Sequence, residues 1–182
     1  MIADRRAQFT DSVIRDEFKK LLLEMPFEKI TVSEICRRCD INRGTFYLHY
    51  TDCFALYESL GAELADRLFS VIRNHDPINN VPAMMESCMN LSPLDQILFH
   101  DSRSKCFDRL LTMAKEQTVN AWSLRSGLKQ AELECIFTFI ANGCHAVASS
   151  AVFDETAQND HIYQLMQKLI TNGLYSLVNP EY

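Results

Sequence analysis

Two helix starts stand eleven residues apart between Pro26 and Asp52, and that spacing leaves few folds open. Thr31-Val32-Ser33-Glu34 has the form of a capping box, in which the Thr31 hydroxyl accepts from the Glu34 amide and the Glu34 carboxylate reaches back. Ile30 and Ile35 stand at the spacing of a hydrophobic staple across that start. Asn42 heads the second helix, with Ile41 and Phe46 at the same staple spacing. The first helix is therefore predicted to end near Cys39-Asp40 and the second to span about 43–50, beginning three residues after its predecessor stops. Such a connection makes a helix-turn-helix.

Prolines at 26, 77, 82, 93 and 180 divide the rest into long pieces with helical periodicity, and no strand alternation survives between them. The class is all-α, with about nine helices. Further helices are predicted over 9–25, 52–74, 83–90, from Ser92-Pro93 onward, and over 103–122, 129–152 and 156–178. With 47% hydrophobic and 23% charged residues and only 5 Gly and 5 Pro, the composition excludes disordered, collagen-like and many-turned all-β chains. No window holds eighteen clean apolar residues; Cys135 to Phe153 comes nearest, but its Thr138, Asn142 and His145 suit a helix buried in protein. The first residues carry charge with no apolar stretch behind it, so a soluble protein that is not secreted and has no membrane contact is expected. Seven scattered cysteines read as free thiols in a reducing cytoplasm. Cys36 and Cys39 have the spacing of a metal or redox half-site, but with no second such pair they read as small side chains where helices cross, and no metal or cofactor is expected.

The net charge of −6 argues against nucleic acid until it is divided along the chain. Residues 1–60 hold nine basic and ten acidic side chains, residues 61–182 nine and fourteen, so the acidity lies mainly in the later part. Local clusters decide phosphate binding, and Arg5/Arg6, Lys19/Lys20, Arg37/Arg38 and Arg43 all fall in the first segment. Arg37 and Arg38 fit either a phosphate contact or a solvated charged face. On the second short helix, Phe46 and Leu48 are expected to pack inward, leaving Arg43, Thr45, Tyr47, His49 and Tyr50 to an external surface. Their guanidinium, hydroxyl and imidazole groups match phosphate oxygens and base edges in a major groove.

At these residues the sequence resembles the tetracycline-repressor (TetR) family of transcriptional regulators: Thr31, the Ile30/Ile35 frame, the small residues at 36 and 39, and Gly44-Thr45-Phe46-Tyr47-Leu48-His49-Tyr50 match its DNA-binding signature. The match covers residues 9 to about 60. It implies a homodimer whose recognition helices enter successive major grooves of double-stranded operator DNA, and a C-terminal pocket whose ligand releases that DNA. Carried over by position, Thr31 binds phosphate, Tyr47 and His49 meet the backbone, and Arg43 and Thr45 lie nearer the bases. Gly44 and Tyr50 complete the DNA-binding set. Asp40 departs from the family's usual turn glycine, and Cys53 from a lysine that often anchors phosphate.

The implied division is a helix-turn-helix DNA-binding domain over 1–52 and a helical ligand-binding and dimerisation domain over 53–182, entered through the helix at 52–74. Apolar residues on more than one face of 129–152, and the stripe Ile162, Leu165, Met166, Leu169, Leu174 and Leu177 in 156–178, suit a two-fold four-helix interface. For the ligand, Met85, Met89, Phe107, Leu111, Trp122, Phe137, Asn142 and His145 supply soft, aromatic and a few polar groups, and an apolar or aromatic effector is expected. Ordinary core packing is the readier account of each of them taken separately. His100 and His145 sit in no nucleophile-base-orienter set, so no enzyme activity is expected. The functional expectation is a ligand-responsive, cytoplasmic DNA-binding regulator, a repressor by preference; the alternative is a helical small-molecule-binding protein that has lost operator binding.

Overall fold

The computed structural model describes residues 2–73, 87, 91–149 and 158–178, and among these it is all-α, with eight α-helices, two 3-10 turns and no strand. The order is α1 (Ile2–Glu24), a 3-10 turn (Phe27–Lys29), α2 (Val32–Cys39), α3 (Arg43–Tyr47), α4 (Cys53–Arg73), α5 (Pro93–His100), a second 3-10 turn (Ser102–Ser104), α6 (Cys106–Ser123), α7 (Gln130–Ala148) and α8 (Gln158–Val178). The helix expected over 83–90 lies outside the described residues except for Ser87. α1 starts seven residues before its predicted start, because Ala3 to Gln8 contains good helix formers and no breaker. α6 starts later than the predicted 103: the Asp101 carboxylate accepts from the Arg103 amide (2.9 Å), and Lys105 turns left-handed (φ 55°), which stops any helix running through it.

The chain forms two compact units, Met1–Leu64 with Ser92–Cys106, and Ala65–Leu91 with Phe107–Tyr182. In the first, α1 buries Ile14, Phe18, Leu21 and Leu22 on one face, the four-residue spacing of an amphipathic helix. Phe18, Phe27 and Tyr57 form its aromatic centre, with Phe27 stacked on Tyr57 at 4.7 Å and Phe18 edge-on to both. The segment after α5 closes this core. The Tyr57 hydroxyl donates to Asp101 (3.1 Å), and Arg103 pairs with Asp101 (2.7 Å) and Glu28 while covering the Phe27 ring at 5.0 Å. Burial pushes the Asp101 carboxyl upward, but the hydrogen bonds from Arg103 outweigh it and hold the group below its usual range.

Gly61 makes that closure possible. A Cβ there would stand 2.2 Å from the Ser104 carbonyl oxygen, a backbone atom that cannot swing aside. Gly61→Ala is therefore expected to destabilise the first unit by about 1–3 kcal/mol, the usual cost of overpacking, although alanine favours helix. A urea titration checks the sign: an unchanged or raised midpoint would contradict the close approach.

In the second unit, Leu110, Ala114, Val119 and Trp122 of α6 and Leu133, Phe137 and Ala141 of α7 are buried, as is Leu174 of α8. α7 buries every fourth residue from 133 to 141, while Phe139 on its opposite side is 81% exposed. α8 likewise leaves Leu165, Leu169 and Leu177 exposed. Among the described residues no helix is long and apolar enough to cross a membrane, and no three His, Cys, Asp or Glu converge as metal ligands.

Candidate nucleic-acid interface

The geometry of the first unit is set by its caps. Thr31 is extended (φ −121°, ψ 152°) and its hydroxyl accepts from the Glu34 amide at 3.2 Å, satisfying a donor at the start of α2. The Glu34 carboxylate serves Arg37 (2.6 Å) and Arg38 (3.2 Å) rather than closing the box, and those hydrogen bonds hold it down to about 2. Arg38 also pairs with Glu24. Both arginines are thus matched by carboxylates, which favours the solvated charged face over the phosphate contact.

Asp40 takes the left-handed conformation (φ 52°, ψ 45°) that ends α2, and the Ile41 amide donates back to the Cys36 carbonyl at 3.0 Å. An aspartate tolerates this region better than most residues, so the glycine of the family pattern is dispensable here. Asn42 then caps α3, its side-chain oxygen accepting from the Thr45 amide (2.8 Å) and the Thr45 hydroxyl (3.2 Å). Cys36 is buried and the Cys39 thiol donates to the Val13 carbonyl at 3.7 Å. Burial raises both thiols, Cys39 to about 11, so this pair packs as small side chains against α1.

Three expectations for α3 are corrected. The helix ends at Tyr47 rather than 50: the His49 and Tyr50 amides both donate to the Phe46 carbonyl, closing a turn. Leu48 does not pack inward. Phe46 fills the inner site and is fully buried, and at about 100° per residue Leu48 falls on the far side, where it is 85% exposed. Tyr50 is not a free surface group, because it is half-buried with its hydroxyl donating to Asp11 (2.6 Å) and accepting from Arg15 (3.1 Å). Burial and the Asp11 carboxylate push its phenol pKa up. His49 also turns toward α1, with Nδ1 3.8 Å from the Asp11 carboxylate.

What α3 shows to solvent is therefore a strip of Arg43, Gly44, Tyr47 and Leu48, at spacings that share one helix face. Arg43 donates to the exposed Ser33 hydroxyl of α2. Tyr47 is 54% exposed and sits edge-on to Phe46 at 5.7 Å. Thr45 is half-buried and turned to its cap, while Thr31 is exposed at the start of α2. Behind the strip, Arg15 bonds Tyr50, Ser59 (2.9 Å) and Glu63, tying the end of α3 to both long helices. Sequence reasoning missed Arg15 and Asp11 as the anchors, since their partners lie 35 to 48 residues away and leave no local pattern.

Asp52 caps α4 through the Ala55 amide (2.8 Å). Cys53 follows, half-buried, and burial together with the Asp52 charge pushes its thiol up to about 11. It is protonated at neutral pH and offers phosphate no cation.

In the second unit, two pairs of the candidate ligand residues come together. Phe107 and His145 stack at 3.8 Å and 17°, and Trp122 and Phe137 meet at 6.3 Å. Leu111 is half-buried. Asn142 is placed elsewhere: it follows the buried Ala141 by one residue, which turns it to the exposed side of α7, where its amide donates to the Thr138 carbonyl (2.8 Å). There it lines an open groove with Lys115, Glu134 and Phe139. Met85 and Met89 lie outside the described residues.

No family model matches the chain, and no curated protein matches it by sequence. Solved structures do. A protein of Vibrio parahaemolyticus described as a TetR-family transcriptional regulator superposes with a TM-score of 0.65 at 14% identity, over 90% of this chain and 97% of its own. The dihydroxyacetone kinase operon activator DhaS gives 0.60 at 17% identity, over 93% and 98%. RolR in complex with resorcinol gives 0.56 at 15% identity, over 93% and 89%. At such identities the likeness establishes the architecture: this all-helical chain has the fold of the TetR-family transcriptional regulators.

Proposed function

We propose that the chain is a ligand-responsive DNA-binding transcriptional regulator, acting as a repressor in the bacterial cytoplasm. The observation that carries this reading is the exposed strip Arg43-Gly44-Tyr47-Leu48 on a helix held rigidly from behind by Phe46 and by Tyr50 on Asp11 and Arg15. A major groove has room for such a helix, and Gly44 lets the backbone come close. Arg43 and Thr45 are assigned to base edges, Tyr47, His49 and Thr31 to the sugar-phosphate backbone, and Tyr50 to holding the reading helix in place. Residues 1–52 make the reading domain and 53–182 the effector and dimerisation domain. The exposed apolar faces of α7 and α8, with Phe139 and Leu169 outermost, are assigned to a two-fold homodimer. The operator is then pseudo-palindromic, its half-sites about 34–36 Å apart or a multiple of that.

Bound across a promoter, such a dimer represses by occlusion and needs no further partner. DhaS is described as an activator, so a promoter fusion in cells with and without the gene fixes the sign. The effector is assigned to Phe107, Leu111, Trp122, Phe137 and His145, with Met85 and Met89, as an apolar or aromatic molecule; resorcinol, the ligand bound by RolR, is a first probe.

Duplexes selected from a random pool supply the DNA for the test. The double variant Tyr47→Ala, His49→Ala is expected to lose affinity across all of them, since it removes contacts that position the protein. Arg43→Ala is expected to relax preference at one base step by about 1–3 kcal/mol. Undiminished binding by the double variant in a gel-shift titration defeats the assignment, and a wild-type protein that selects nothing leaves the small-molecule-binding alternative.

A further inference from the structure

Leu48 is left in water at the end of α3, and single exposed leucines are common enough to need no account. Its place is what matters. It stands one residue after the exposed Tyr47, four after Gly44 and five after Arg43, so it continues the strip assigned to DNA and sits on the side of α3 opposite the buried Phe46. Helical side chains lean over the preceding turn, and here that turn carries Gly44, which has no Cβ to fill the space. The Asn42 side-chain oxygen flanks Gly44, 3.1 Å from where a Cβ would stand, and the Leu48 side chain supplies the apolar contact for one small group approaching this step.

Base pairs offer few apolar groups in the major groove, and the prominent one is the 5-methyl of thymine. Cytosine at the same step would lack the methyl and set its amino donor against the leucine side chain, which has no acceptor to offer. We infer that Leu48 is a specificity-determining residue that reads the methyl group of one thymine in each half-site, while Arg43 and Tyr47 supply the polar contacts around it. This rests on the reading of α3 as the recognition helix.

The test uses the full-length protein and duplexes selected from a random pool. Each thymine of the selected site is replaced in turn by deoxyuridine, which removes the methyl and nothing else. One position per half-site is expected to weaken wild-type binding about fourfold, the factor equivalent to burying one methyl, and about sixteenfold when both half-sites are changed. In Leu48→Ala the same replacement is expected to have no effect, while other positions keep their wild-type response. Because Leu48 is so exposed, the variant should melt with the wild type, so lost discrimination is not lost folding. If a defined site is selected but no uracil effect disappears in Leu48→Ala, the methyl reading is wrong and the DNA reading stands. If no sequence is selected, both fall together.

Discussion

Phe46→Ala is expected to abolish operator binding without removing a single DNA-facing atom. Phe46 is fully buried in the first unit, edge-on to Tyr47 at 5.7 Å and 6.0 Å from Tyr50. Truncating a buried phenylalanine costs about 3–5 kcal/mol, a large share of the roughly 5–15 kcal/mol that holds a domain together. At about 2–4 °C per kcal/mol for a chain of this length, the melting temperature should fall by roughly 6–20 °C. α3 has only five residues and cannot persist without this anchor, because isolated helices of that length are not stable in water. Tyr47→Ala provides the contrast, expected to melt close to the wild type and yet bind poorly. A Phe46→Ala protein that keeps both its melting point and its operator affinity would show that α3 is held in some other way.

The features legible in the sequence are those decided within one turn of chain. Thr31, Asn42 and Asp52 cap their helices through bonds to the amide three residues on, and Asp40 takes the left-handed turn between α2 and α3. The same local logic misled where distant groups compete for a side chain. The capping-box pattern has Glu34 reaching back to Thr31, yet two guanidinium groups hold it instead. Tyr50 and His49 belong to the polar cluster of α1, a residue set that no spacing rule joins to α3. Leu48 is apolar yet exposed, because its angular distance from the buried Phe46 carries it away from the core. Ser92–Cys106 enters the first unit through Arg103, Asp101 and the bare face of Gly61, again contacts of long sequence separation. The effector set leaves no such mark, since Phe, Trp and Leu line pockets and fill cores alike. Periodicity alone could have separated Asn142 from Phe137 and Ala141.

An effector is expected to weaken operator binding roughly 5–150-fold, the range given by couplings of about 1–3 kcal/mol, and operator DNA to weaken effector binding by the same factor. The element proposed to carry the coupling is α4, which runs unbroken from Cys53 to Arg73 and passes from one compact unit into the other between Leu64 and Ala65. Its first turn lies close behind α3, and Arg15 joins Ser59 and Glu63 of α4 to Tyr50, so α4 cannot shift there without moving the reading strip. A ligand produces such a shift only by binding the DNA-incompetent arrangement more tightly. The chain's one tryptophan makes reciprocity measurable. Trp122 is buried against Phe137 and its indole Nε1–H meets no hydrogen-bond acceptor among the described residues, so a ligand that supplies one, or that touches the ring, changes its emission. Resorcinol and its apolar counterpart toluene can be titrated into free protein and into protein saturated with a selected duplex, following Trp122 throughout. If either binds, its affinity for the DNA-bound form should be lower by the same factor by which it weakens the duplex in a gel shift. Equal affinity for the two forms would mean that the effector and operator sites do not communicate, even in a protein that binds both.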